Sequence, residues 1–429
     1  MNSPTLKRDL GLFHATAVGV GIILGAGIYV LLGAAAGIAG NSVWVSFFLA
    51  ALVALLTGLS YAELSSIYPT DAAEYDYTEK AFKKKGLAFF VAYQVILSAI
   101  ISSATVAMGF AGYFSALFGM NHMIIISILV IVVFSIINFR SIKGSALTNV
   151  VCAALEVIGL FVIIFLAIPH IGSVSYTEMP QGFDGVLKAS ALVFFAFLGF
   201  ESIVKLSEEV KDPTKNIPRA LLLSLLITTV LYILVAIAAV SILDWEALGA
   251  SKAPLADVAA TVLGNNAFIV LSVIALFSTA NTVLISLIAG SRALYGIGSG
   301  YRLLKPFTKV HPKTRTPHYA IFAVMIFAIL FSLIEDIGFI AELTNFTLFV
   351  TFAIINLAVI VLRYNAPNEK RPFKIPLNIG KFPILALLGI LSCLFFITQL
   401  TTTIILGGVA LSVVGFVIYG VLRLGEKRD

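Results

Sequence analysis

Twelve runs of mostly apolar residues, each near the length of a helix that crosses a lipid bilayer, follow one another along this chain. They cover residues 12–33, 42–62, 87–117, 123–137, 146–168, 186–206, 220–243, 267–289, 317–334, 341–362, 382–400 and 402–421. A bilayer span needs about 20 such residues, and inside lipid only helices and closed barrels satisfy their own backbone. No water-soluble core could hold so many runs. Of the 429 residues 60% are hydrophobic and 12% charged, against roughly 25% charged in soluble domains. The reading is an all-α integral membrane protein with twelve transmembrane helices.

The charges give the orientation. With the N-terminus inside, 25 of the 28 Lys and Arg fall in cytoplasmic segments. Lys188 and Lys252 fall outside, and Lys205 ends the sixth run. This bias predicts an even number of spans, both termini in the cytoplasm and a place in the cell membrane. The formal charge of +6 is thus a topology signal and not a nucleic-acid patch. Cys152 and Cys393 both lie inside apolar runs, as small buried residues do, and exclude a disulfide framework. The first run outlasts the roughly 7–15-residue core of a signal peptide, so it reads as a retained helix. The short loops leave no room for an ATP-binding cassette or a P-loop, so an ion gradient, exchange or the solute's own gradient would supply the energy.

Two of the runs are poor continuous helices. The first contains Gly21-Ile22-Ile23-Leu24-Gly25-Ala26-Gly27-Ile28-Tyr29, and Gly in a helix costs up to about 1 kcal/mol relative to Ala. Gly21 and Gly25 also suit tight helix packing. The sixth reads Phe194-Phe195-Ala196-Phe197-Leu198-Gly199-Phe200-Glu201, an aromatic run interrupted by a Gly and an acid. Interrupted helices at matching places in two sets of five mark a transporter site between repeats. N–H groups exposed at the outer half of helix one would bind a carboxylate, and freed carbonyls would accept from an ammonium. A free α-amino acid presents both groups.

In these strings the chain resembles the amino acid–polyamine–organocation superfamily, in particular bacterial and archaeal relatives of cationic amino acid transporters. Further strings that carry the likeness are Tyr61-Ala62-Glu63-Leu64 with Pro69 and Tyr75, and Glu208-Glu209-Val210-Lys211-Asp212-Pro213 with Ile217-Pro218-Arg219. Others are Ser278-Thr279-Ala280-Asn281, Ser291-Arg292-Ala293-Leu294-Tyr295 and Arg371-Pro372-Phe373 with Pro376. The resemblance implies a LeuT-type fold of two inverted five-helix repeats, about residues 10–170 and 184–364, plus two extra helices at about 382–422. It implies that Ile23, Gly25, Ala26 and Gly27 hold the carboxylate, and that Phe195, Ala196 and Leu198 surround the amine and side chain. Phe195 would gate, and Ser98, Ala99 and Ser103 would lie near the pocket. Two segments depart from the family pattern: Asp71-Ala72-Ala73, where small-Gly-Gly is usual, and Gly300-Tyr301-Arg302-Leu303-Leu304, which lacks a proline.

Charge at membrane depth costs about 2.5–3.5 kcal/mol on insertion scales. Glu156, mid-way along the fifth run, is therefore either a candidate proton carrier or a neutral, hydrogen-bonded structural residue. Some proton-coupled relatives carry a Lys here. Glu201 suits an inner gate or a local helix cap, and Lys205 is placed to pair with it at i,i+4. Ser278 and Thr279 could ligate sodium or satisfy their own helix carbonyls. His14 reads as an interfacial residue. No metal cluster or nucleophilic constellation points to an enzyme, and no cofactor is expected beyond a coupling proton or sodium. The expected partners are a small-molecule amino acid and the lipid bilayer. The small, apolar predicted pocket favours proton-coupled symport of neutral amino acids. The alternatives are an exchanger, a sodium-coupled carrier, a cationic amino acid or polyamine carrier, a channel, or a ligand-binding sensor.

Overall fold

The computed structural model describes residues 9–70, 72–140, 145–207 and 209–426, with side chains at all of these except 145–150, 425 and 426. Asp71 and Glu208, quoted above in family strings, lie outside the described residues, as do the basic residues Lys7, Arg8, Lys143, Lys427 and Arg428.

Among the described residues the chain is almost wholly helical, with one two-residue hairpin, Asn378–Ile379 against Phe382–Pro383. Among the described residues nine helical stretches are long and apolar enough to cross a membrane. The first run becomes two helices, α1 (Leu12–Ile23) and α2 (Gly27–Ala39). After a turn at Gly40–Ser42 comes α3 (Val43–Ile67), then the short α4 (Ala73–Phe82). Next are α5 (Lys85–Phe118), α6 (Met123–Arg140) and α7 (Ser145–Ala167). The sixth run also divides, into α8 (Gly182–Val193) and two 3-10 segments, Phe194–Phe197 and Phe200–Leu206. The second half holds α9 (Pro213–Ile242), α10 (Trp245–Ala250), α11 (Pro254–Leu263) and α12 (Asn265–Gly298). It closes with α13 (His318–Ser332), α14 (Ile337–Asn365), α15 (Ile384–Gln399) and α16 (Thr402–Glu426).

Three of these helices, α4, α10 and α11, fall in segments that a search for long apolar runs reads as loops. In α4 the buried residues Ala73, Glu74, Tyr77, Thr78 and Ala81 recur at helical spacing. That face is too polar to register as a membrane run.

Large apolar side chains point outward along the bundle: Phe165 on α7, Leu226 on α9, Leu330 on α13 and Leu406 on α16 are each more than half exposed. Small and hydroxylic residues lie in the interior beside large rings such as Tyr61 and Phe349, and the small ones let helices approach closely. Gly58 lets α3 approach α9, since a Cβ there would meet Leu225 at 2.7 Å. On α14, Asn356 accepts from Ser60 at 2.6 Å and donates to Thr57 at 3.1 Å, tying α14 to α3.

A buried ion cluster locks one end of the bundle. Arg363 donates Nε to Oε1 of Glu63 at 2.6 Å and a terminal nitrogen to Oε2 at 2.5 Å. Arg371 adds a second cation, its Nε 3.3 Å from Oε1, and the Ile375 N–H donates to Oε2 at 2.9 Å. Glu63 thus fastens α3, the end of α14 and the loop before α15 together. Removing one partner from such a cluster leaves an uncompensated buried charge, at a cost of about 3–5 kcal/mol.

Candidate functional site

The first break runs Leu24-Gly25-Ala26. Leu24 ends α1, and the Ala26 N–H, one position before α2, donates to Oγ1 of Thr282 on α12 at 3.1 Å. The N–H groups that follow open α2 and have no partner within their own helix. In the second break Gly199 takes φ +107, a left-handed conformation that suits glycine. Its N–H donates to Oε2 of Glu201 at 2.9 Å.

The two breaks press on each other. A Cβ on Gly27 would come within 2.5 Å of the Ala196 Cα, and one on Gly199 within 2.9 Å of the Ile22 side chain. Backbone meets backbone there, as it must if peptide groups of both helices are to face one solute. Ile23, Ala26, Phe195 and Ala196 are all buried, while Gly25, Leu198 and Gly199 are partly exposed. The described cavities, of about 890 and 410 Å³, lie elsewhere.

Tyr232 of α9 joins the breaks. Its hydroxyl is 2.8 Å from the Ile23 carbonyl oxygen and 3.0 Å from that of Ala196. One hydroxyl proton is therefore shared between two acceptors. Asn345 of α14 supports the same region, its amide donating to the carbonyls of Ala191 at 2.7 Å and Leu192 at 3.0 Å. Phe194 and Phe197 stand one 3-10 turn apart in the first segment, and Phe200 opens the second. They engage Phe349 at 4.7 Å, Tyr232 at 5.3 Å and Phe352 at 5.2 Å respectively.

Removing the Tyr232 hydroxyl tests this bridge. A Tyr232→Phe variant is expected to fold but to be about 1–3 kcal/mol less stable, since it leaves a buried acceptor unpaired. Thermal unfolding of the ligand-free protein reads this directly. An unchanged melting temperature would mean that the carbonyls need no donor.

Glu156 lies buried on α7, and neither carboxylate oxygen has a hydrogen-bond partner among the described residues. The Ser278 hydroxyl on α12 is likewise buried and without a hydrogen-bond partner among the described residues. Tyr29 of α2 donates its hydroxyl to the Glu156 backbone carbonyl at 2.8 Å, and Tyr113 of α5 donates to the Tyr29 carbonyl at 2.9 Å. The carboxyl therefore sits where α2, α7 and α12 meet. Thr279 spends its hydroxyl proton on the Ala275 carbonyl at 2.7 Å, leaving oxygen lone pairs.

Beyond the second break, Lys205 pairs with Glu74 of α4 at 3.3 Å, and Tyr61 donates to the same Glu74 oxygen at 3.4 Å. Glu201 feels both Lys205 and Glu74 while its own oxygen caps Gly199. Sequence spacing offers Glu201 as a partner for Lys205; the structure sets Lys205 on Glu74 of α4 and an oxygen of Glu201 on the Gly199 N–H.

The α5 candidates stand differently. Ser98 and Ser103 donate to their own helix at the Val95 and Ile100 carbonyls. Ala99 lies against Gly290, two turns along α12 from Thr282, or about 12 Å at 1.5 Å per residue. Tyr232, Thr282, Asn345 and Glu74 went unnoticed in the sequence. Only Thr282, one turn on from Ser278, carried a local signal.

A family model described as amino acid permease matches residues 10–423. The chain is 29% identical to the branched-chain amino acid permease BcaP of Bacillus subtilis (strain 168), across 97% of this chain and 93% of that one. It is 30% identical to the methylthioribose transporter of the same organism, across 97% and 94%. With the chloroplastic cationic amino acid transporter 6 of Arabidopsis thaliana it shares 27% identity, across 86% of this chain and 68% of that one.

Proposed function

The chain belongs to the amino acid permease family, and on that premise we propose that it is a secondary transporter of neutral α-amino acids, working by alternating access and proton symport. The observation that carries this reading is the meeting of two broken helices, Gly27 against Ala196, with Tyr232 across their freed carbonyls. Backbone of this kind is tolerated at membrane depth only where it is buried in protein or lines a cavity.

In this reading twelve spans form two inverted repeats, about residues 10–170 and 184–364, with α15 and α16 as the extra pair. Both termini are cytoplasmic, in the cell membrane. Ile23, Gly25, Ala26 and Gly27 hold the substrate carboxylate; Phe195, Ala196 and Leu198 enclose its amine and side chain. Ser98, Ala99 and Ser103 back the pocket from α5, and Phe195, Glu201 and Lys205 gate it. Support for a neutral substrate comes from the small apolar side chains at the breaks and from likeness to a branched-chain permease. Glu156 carries the proton. The same oxygens of Glu156, Ser278 and Thr279 favour sodium as the second reading.

The test is a thermal-shift screen of the twenty amino acids, followed by proteoliposome uptake of the best binder. A branched-chain or other aliphatic amino acid should stabilise the protein and enter saturably when the outside is acidic. No uptake under any proton gradient would end the proposal. Loss of uptake on replacing sodium by choline would transfer the coupling to sodium, and counterflow that requires internal substrate would indicate exchange.

A further inference from the structure

The 890 Å³ cavity lies at the lysine- and arginine-rich end of the bundle, where α5 begins and α16 ends. Lys84, Lys85 and Arg423 line it, and none of the three forms an ion pair among the described residues. On α16, Phe416, Tyr419 and Arg423 stand at i, i+3 and i+7, so one face of that helix forms a wall that is cationic at one end and aromatic along its length.

The aromatic part is firmly built. Phe416 stacks on Phe90 at 4.2 Å, Tyr419 packs on Phe89 at 5.5 Å, and Tyr301 closes on Phe89 at 5.1 Å. The backbone of the first turn of α5 is pressed against Tyr419, since a Cβ on Gly86 would come within 2.8 Å of that ring. Phe416 is nonetheless 52% exposed. It shares that exposure with Val413, Val417 and Val421 on the outward surface of α16, a surface that only acyl chains would cover in a bilayer. The site therefore offers three cations at the membrane edge, opening onto an apolar strip that runs towards the membrane interior. The nearest acids with an effect here, Asp76 and Glu79, act on Tyr75 from α4. Those two carboxylates stand against three cations in the lining, so the balance at the cavity stays positive.

We propose that this cavity binds the phosphate headgroup of an anionic phospholipid, with Lys84, Lys85 and Arg423 on the phosphate and an acyl chain along Phe416. Basic pockets between membrane helices at the cytoplasmic surface recognise lipid headgroups by this chemistry. The apolar strip distinguishes a lipid from a free phosphate, which would gain nothing from Phe416. The site rests on the membrane reading alone; binding is measured without transport, so its failure leaves the amino acid reading untouched.

The experiment uses the full chain purified in detergent and native mass spectrometry, with phosphatidylglycerol and phosphatidylcholine as probes. Wild type should retain phosphatidylglycerol in preference to phosphatidylcholine. A Lys84→Ala/Lys85→Ala/Arg423→Ala variant should lose affinity by about five-fold per cation, on the order of 100-fold in all. Lys84→Arg/Lys85→Arg should retain binding, as should Lys188→Ala, which removes a cation from the opposite end. A photoactivatable phosphatidylglycerol added to wild type should label peptides spanning 84–90 and 416–423, a result that needs no variant to fold. Equal retention of the two lipids, an unchanged triple variant, labelling confined to other peptides, or displacement of the lipid by an equal concentration of inorganic phosphate would each overturn the proposal.

Discussion

Replacing Glu156 by Gln is expected to abolish concentrative uptake while sparing exchange. With the outside one pH unit more acidic, one proton per solute supports up to about tenfold accumulation, since 1.36 kcal/mol is a factor of ten. The Gln side chain fills the same space but carries no titrating proton, so the variant should equilibrate to an accumulation ratio of about 1. Counterflow of preloaded substrate should persist, because it needs the breaks and not the carboxyl. The physical ground is the placement of Glu156: buried on α7, oxygens unpaired among the described residues, beside Ser278 and behind Tyr29. Continued tenfold accumulation by Glu156→Gln would remove the residue from the coupling mechanism. Loss of both activities in a well-folded variant would make it structural.

The second large effect is expected at Gly27. The Cβ of Gly27→Ala would lie 2.5 Å from the Ala196 Cα and 3.0 Å from its Cβ. The nearest obstruction is backbone, which cannot rotate away as a flexible side chain would. Overpacking of this kind costs about 1–3 kcal/mol. Here it would be relieved only by separating the two breaks, the geometry on which binding depends. Uptake should fall by about 10-fold or more, with binding lost in parallel in thermal-shift titrations. Ala196→Gly would remove the 3.0 Å contact but not the 2.5 Å one, so the double variant should recover only in part. Gly296→Ala, where a Cβ would meet nothing within 4 Å, is the control and should transport normally. Wild-type uptake by Gly27→Ala would show that the breaks need not touch.

The break in the first helix was legible because two glycines flank one alanine in an otherwise strong apolar run. The sixth was legible because Gly199 interrupts aromatic residues. These are local signals. Their packing partners were not, because nothing near Tyr232 or Asn345 in sequence indicates that its polar end reaches carbonyls freed tens to hundreds of residues away. Glu74 escaped for a different reason: it lies on α4, whose buried face is polar and shorter than any apolar-run search detects. Ser98, Ala99 and Ser103 show the reverse. Their positions followed from a resemblance; the Ser98 and Ser103 hydroxyls bond within α5 itself, and the Ala99–Gly290 contact depends on how α5 and α12 mesh, which spacing alone does not fix.

The strand-like segment before α1 pairs in parallel with the segment after the inner half of the sixth run: the Leu10 N–H donates to the Glu209 carbonyl at 3.1 Å, and the Lys211 N–H to that of Leu10 at 2.9 Å. Two rods yoked at their tips cannot swing independently. Displacing either segment drags the other with it, so an opening at this end has to form around the yoked pair, against α9 and its neighbours, and not between the pair's own members.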